Sequence, residues 1–103
     1  MAIYIKITKV FEKADVGFYH VFTKHGGETE FYVGFDKKYR KIYCFLSNDF
    51  SNPVRIVDPN DPNEIIGEVP GIKVRPSILA KVFRTAEKAF ELDEFPQYLD
   101  YCA

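Results

Sequence analysis

Apolar and polar residues alternate along "AIYIKITKV" (Ala2–Val10). Ile3, Ile5 and Ile7 fall on one side, and Tyr4, Lys6 and Thr8 on the other. A period of two sends successive side chains to opposite faces of an extended chain, so a first strand is expected here. "VGFYHVFT" (Val16–Thr23) is aromatic and β-branched and reads as a second strand. "HGG" (His25–Gly27) supplies a turn, "TEFYVGFD" (Thr29–Asp36) a third strand, "KKYR" (Lys37–Arg40) a polar turn, and "KIYCFLS" (Lys41–Ser47) a fourth strand. Connections this short join antiparallel neighbours. "SNDFSNP" (Ser47–Pro53) is a loop by composition, "VRIVD" (Val54–Asp58) a short fifth strand, and "EIIGEV" (Glu64–Val69) and "IKV" (Ile72–Val74) read as edge pieces.

The period changes after Pro76. Ile78, Leu79, Val82, Phe83, Ala86, Ala89 and Phe90 recur at helical spacing. Pro76 suits a first helical turn, where its missing N–H is not needed, and Ser77 is a cap candidate if the helix begins one residue later. Pro96 bars continuation. Glu91, Asp93 and Glu94 crowd the end of this helix, where its dipole disfavours negative charge. The expected fold class is α+β: an antiparallel β-meander of about four to six strands with one C-terminal helix packed on one face. No repeat or linker divides the chain, so residues 1–103 are expected to form a single domain.

If Ile3, Ile5 and Ile7 face the core, pattern matching assigns the same side to Phe18, His20 and Phe22, to Phe31, Val33 and Phe35, and to Ile42, Cys44 and Leu46. The opposite side then receives one tyrosine per strand: Tyr4, Tyr19, Tyr32 and Tyr43. With them come Lys6, Thr8, Val21, Thr23, Glu30, Gly34 and Phe45. A helix has one apolar stripe and covers one sheet face, which leaves the tyrosines to water or to a partner. Tyrosine suits strands for packing alone, and it is also enriched at interfaces.

Composition narrows the chemistry. With 47% hydrophobic residues the chain has material for a core without metal or disulfide support. Its 14 Lys and Arg against 15 Asp and Glu give no basic excess, so nucleic acid is not the expected partner. No stretch approaches the about 18 apolar residues of a membrane span, and no signal-peptide pattern opens the chain, so a cytoplasmic, membrane-free location is expected. Cys44 and Cys102 fit no metal or redox spacing; reduced thiols are the simple reading, with a bridge between them the alternative.

The most site-like stretch is "VDPNDPNEIIGEVPG" (Val57–Gly71). A calcium loop starting at Asp58 would need a ligand where Pro62 stands and a glutamate where Val69 stands; one starting at Asp61 meets Ile65 and Ile72 at those places. Asp-Pro pairs are turn starters, and that is the expectation here, with no metal. His20 and His25 are five apart, which in a strand puts them on opposite faces. Brought together in space, Cys44 and His20 would form a nucleophile and base pair. Ser47, Ser51 and Ser77 sit in no nucleophile elbow, and "GGETE" lacks the lysine of a phosphate loop. No catalytic constellation or cofactor motif emerges.

The helix followed by "DEFPQYLDYCA" (Asp93–Ala103) resembles small bacterial proteins grouped with the immunity proteins of contact-dependent toxins. Those families end in a helix, an "EFP"-like turn (here Glu94-Phe95-Pro96) and a short aromatic tail with cysteine. The resemblance covers the last third of the chain and carries over no functional residue. It implies an inhibitor acting on another protein rather than an enzyme. The expected function is a small non-enzymatic protein-binding module, whose partner is another protein or a second copy, using Tyr4, Tyr19, Tyr32 and Tyr43. The alternative is a single-stranded nucleic-acid binder using the same face.

Overall fold

The computed structural model describes residues 4–24, 27–65 and 69–102. Strands β1 (Tyr4–Lys13), β2 (Val16–Thr23), β3 (Thr29–Asp36), β4 (Lys41–Phe45) and β5 (Arg55–Val57) follow one another as an antiparallel meander. A two-residue strand, β6 (Tyr101–Cys102), adds to the free side of β1, so the sheet order among the described residues is β5-β4-β3-β2-β1-β6. One helical turn, α1 (Pro62–Ile65), precedes a bent helix made of α2 (Pro76–Arg84) and α3 (Ala86–Glu91). The fold class is α+β, as the alternation and the late helical stripe imply.

The bounds of β2 and β3 coincide with the apolar runs read from the sequence. β1 runs three residues further than expected, to Lys13, because a bulge between Lys9 and Phe11 lets pairing with β2 continue. Ile72–Val74 is not a strand, and Glu64 and Ile65 belong to α1 rather than to an edge piece. Ile3, His25 and Ile66–Glu68 lie outside the described residues.

Helix α2 starts at Pro76 with Arg75 as its cap residue and no side-chain cap bond, so Ser77 does not serve as one. The bend falls at Thr85, which is buried. Its hydroxyl donates to the Val82 carbonyl at 2.6 Å, and its N–H reaches the same oxygen at 3.1 Å. Such a bond back into the preceding turn competes with the regular ladder and bends a helix. The acidic C-terminal end is answered from elsewhere in the chain: Lys37 Nζ donates to the Leu92 carbonyl at 2.5 Å and lies 4.3 Å from the Phe95 ring centre. A cation at the last carbonyls offsets the charge that the sequence places there.

The core lies between the sheet and the bent helix. Ile5 and Ile7 share it with Tyr19, Val21, Phe31, Val33, Phe35, Ile42, Cys44 and Val57, facing Ile78, Leu79, Val82, Phe83, Ala86 and Ala89. The register decides the faces. Ile7 stands opposite Val21, Val21 opposite Phe31, and Val33 opposite Cys44. The expected face of β2 is therefore reversed: Tyr19, Val21 and Thr23 point to the helix, while Phe18, His20 and Phe22 point away. Both sides of β2 are apolar, so alternation alone carries no sign there. Leu46, expected in the core, lies past the end of β4 and is exposed.

The tail runs beside β1 and closes one end of the core. Lys9 N–H donates to the Gln97 carbonyl and Leu99 N–H to the Ile7 carbonyl, both at 2.8 Å, while the Asp100 carboxylate accepts Ile7 N–H at 2.8 Å and the Tyr4 hydroxyl at 2.9 Å. Phe95 is buried over Gly17, where an added Cβ would meet the ring at 2.5 Å. Gly17→Ala is expected to cost about 1–3 kcal/mol by overpacking. In a Phe95→Ala background most of that cost should vanish, which a double-mutant cycle in urea measures.

Candidate functional site

The sheet face turned away from the helix is the candidate site. Its rows follow from the ladder. Thr8, His20, Tyr32 and Phe45 form one, and Phe11, Phe18, Gly34, Tyr43 and Ile56 the next. Phe11 joins this face because the bulge at Val10 shifts the alternation of β1 by one residue.

Phenylalanines occupy its centre. Phe18 stacks on Phe11 at 4.7 Å between ring centres and lies 6.0 Å from Phe45. Phe50, from the loop between β4 and β5, lies on top, at 4.5 Å from Phe18, 5.2 Å from Phe45, 5.3 Å from Phe11 and 5.7 Å from Tyr32. Gly34 makes the floor. A Cβ there would come within 3.1 Å of the Phe18 ring and 3.4 Å of Phe45, so the missing side chain lets the rings settle against the strand. Phe45 is buried by this arrangement, whereas Phe11 remains 41% exposed and Ile56 54%.

The four sequence-predicted tyrosines do not form one surface. Tyr19 is excluded: it is fully buried on the helix side, and its hydroxyl donates to the Pro96 carbonyl at 2.5 Å. Burial foremost, and the charge of Glu12, raise its pKa. Tyr4, Tyr32 and Tyr43 do lie on the outer face. Tyr4 is 51% exposed at one corner, bonded to Asp100. Tyr32 is partly buried under Phe50 and beside His20, whose ring centre is 5.0 Å away. Tyr43 is partly buried and donates to Asp36 Oδ2 at 2.7 Å. Asp36 Oδ1 holds the Lys38 and Tyr39 N–H groups of the next turn.

Burial, followed by the bond to Asp36, pushes the Tyr43 phenol up to about 12 from an ordinary 10. The neutral phenol is thus favoured in the folded state. Its contribution is complete below pH 10 and is lost as the pH climbs from 10 through 12. Tyr43→Phe should therefore flatten part of the alkaline fall in stability over that window, read from urea midpoints against pH. Tyr19, also raised, accounts for a further part.

Other candidate groups are dispersed. His20 Nε2 is 3.1 Å from Glu30 Oε2 at the surface of the outer face, while Cys44 is buried on the inner one, so the sheet separates the two and they form no nucleophile and base pair. Cys44 is a free thiol that burial pushes up to about 12, which keeps it protonated and inert near neutrality.

In the Asp-Pro stretch, Asp58 Oδ1 accepts Asn60 N–H and Asp61 Oδ1 accepts Asn63 N–H, both at 2.9 Å. These are the turns that the sequence implies. The Asn60 N–H foremost, together with Lys41, holds the Asp58 carboxyl below its usual range. Among the described residues no group of three or more His, Cys, Asp and Glu side chains converges as a metal site. No described helix is long and apolar enough to cross a membrane.

Sequence reasoning puts Phe45 on this face but misses Phe11, Phe18 and Phe50 beside it. One signal was legible. Phe50 is a large apolar residue alone among Ser, Asn, Asp and Pro, and such a residue in a polar loop has to pack somewhere.

Compared with protein-family models, with curated proteins and with solved structures, the chain matches none.

Proposed function

We propose that this chain is a small non-enzymatic protein-binding module of the cytoplasm, of the inhibitor or immunity kind, and that the outer sheet face meets another protein. The observation that carries this is the rim of exposed apolar side chains, Phe11, Ile56 and Tyr4, around a packed aromatic centre. Exposed apolar side chains with polar residues around them mark interaction sites. Aromatic anchors set in a polar rim, here Lys6 and Glu30, are the usual make-up of a protein interface.

Nucleic acid fits this face less well. Base stacking needs free ring faces, and Phe18 and Phe45 are engaged by Phe11 and Phe50. Glu30, exposed on this face, would repel phosphates.

The test compares three baits in native-cell extract: the natural chain, Phe11→Ser with Ile56→Ser, and the control Leu92→Ser, which alters an exposed residue beyond the helix. A partner captured by the natural chain and the control should fall at least tenfold with the double variant, a difference of about 1.4 kcal/mol. Titration of the purified partner should reproduce that ratio. Equal capture by all three baits rejects the assignment. Loss of single-stranded oligonucleotide binding in the double variant would replace it with the nucleic-acid reading, and a concentration-dependent dimer abolished by the same changes would make the partner a second copy.

A further inference from the structure

Residues 47–53 bridge β4 and β5 across the outer face. Their polar contacts stay within the loop: Asp49 N–H donates to Ser47 Oγ at 3.3 Å, and the Ser51 N–H and hydroxyl donate to Asp49 Oδ1 at 3.2 and 2.6 Å. Among the described residues no hydrogen bond or ion pair ties these seven residues to the rest of the chain. The next bond belongs to the body, where Val54 N–H donates to the Cys44 carbonyl at 2.8 Å. What seats the loop is the Phe50 ring against Phe11, Phe18, Tyr32 and Phe45.

We infer that residues 47–53 are a hinged lid latched by Phe50, which opens as a unit while the sheet and helix stay folded and so uncovers Phe18, Phe45 and Tyr32. The internal bonds let the loop keep its shape as it moves. Opening breaks no backbone ladder and exposes rings outside the main core, so its free energy lies below that of global unfolding. The inference rests on the outer face being the docking surface and adds its regulation. A partner reaching the central rings has to displace Phe50, so its apparent affinity is reduced by the fraction of closed lid.

The chain has no tryptophan, so Phe50→Trp introduces a sole reporter on the latch. In a urea series, acrylamide quenching of that indole should rise at least twofold before the far-ultraviolet circular dichroism changes. Superimposable curves would overturn the lid. Phe50→Ser, the second variant, should raise the fluorescence of an added apolar dye several-fold with unchanged circular dichroism. Unchanged dye binding, or loss of the fold, would equally overturn it, since Phe50 would then be no latch or a part of the core. Both readouts are made without a partner. A lid that opens while the Phe11 and Ile56 variant still binds as before would reject the docking surface and keep the lid.

Discussion

Truncating Phe83 to alanine is expected to remove about 3–5 kcal/mol of stability, the usual range for a buried phenylalanine. The side chain is fully buried at the centre of the α2 stripe, with Ile78, Leu79 and Val82 beside it. The main hydrophobic core is the space between this stripe and one face of the sheet, so a void opened there has packed walls on every side and little means of collapse. Arg84→Ala, the exposed neighbour, should stay within about 0.5 kcal/mol. Urea unfolding of the two variants checks both values. A loss below about 1 kcal/mol for Phe83→Ala would mean that the helix does not pack on the sheet as described.

Tyr19→Ser is expected to cost a similar 3–5 kcal/mol, although Tyr19 was grouped by pattern with tyrosines of the opposite face. The ring is fully buried, and its hydroxyl satisfies the Pro96 carbonyl that ties the tail to β2. Tyr19→Phe isolates the bond and should cost about 0.5–1.5 kcal/mol, while Tyr4→Ser, at an exposed corner, should change stability far less. If Tyr19→Ser and Tyr4→Ser prove equally mild in urea unfolding, the register between β1 and β2 is wrong and the two sheet faces must be exchanged.

These substitutions show which parts of the candidate site were legible. Tyr32 and Tyr43 were placed on the outer face correctly because β3 and β4 alternate with a clear sign: Phe31, Val33, Phe35, Ile42 and Cys44 all turn inward. β2 has no such sign. Phe18, His20 and Phe22 look as apolar as Tyr19, Val21 and Thr23, and only pairing with Ile5 and Ile7 settles which set is buried. Phe11 was hidden by the bulge, since one extra residue in β1 inverts the alternation beyond it.

The sequence by itself determined the order of the first five strands and the late helix, the short antiparallel connections, the helix's buried stripe, and the turns at Asp58 and Asp61. Each is a property of neighbouring residues, through side-chain period, proline geometry or a carboxylate reaching its own backbone. Tertiary structure alone decided the face of β2, the seat of Phe18 and Phe45 against Gly34, the fit of Phe95 on Gly17 and the placement of Lys37 at the helix end. Those contacts join residues distant along the chain, and their partners are selected by shape and register. A glycine reads in sequence only as permissive backbone; that its missing side chain holds a particular ring follows from which strand lies beneath which loop.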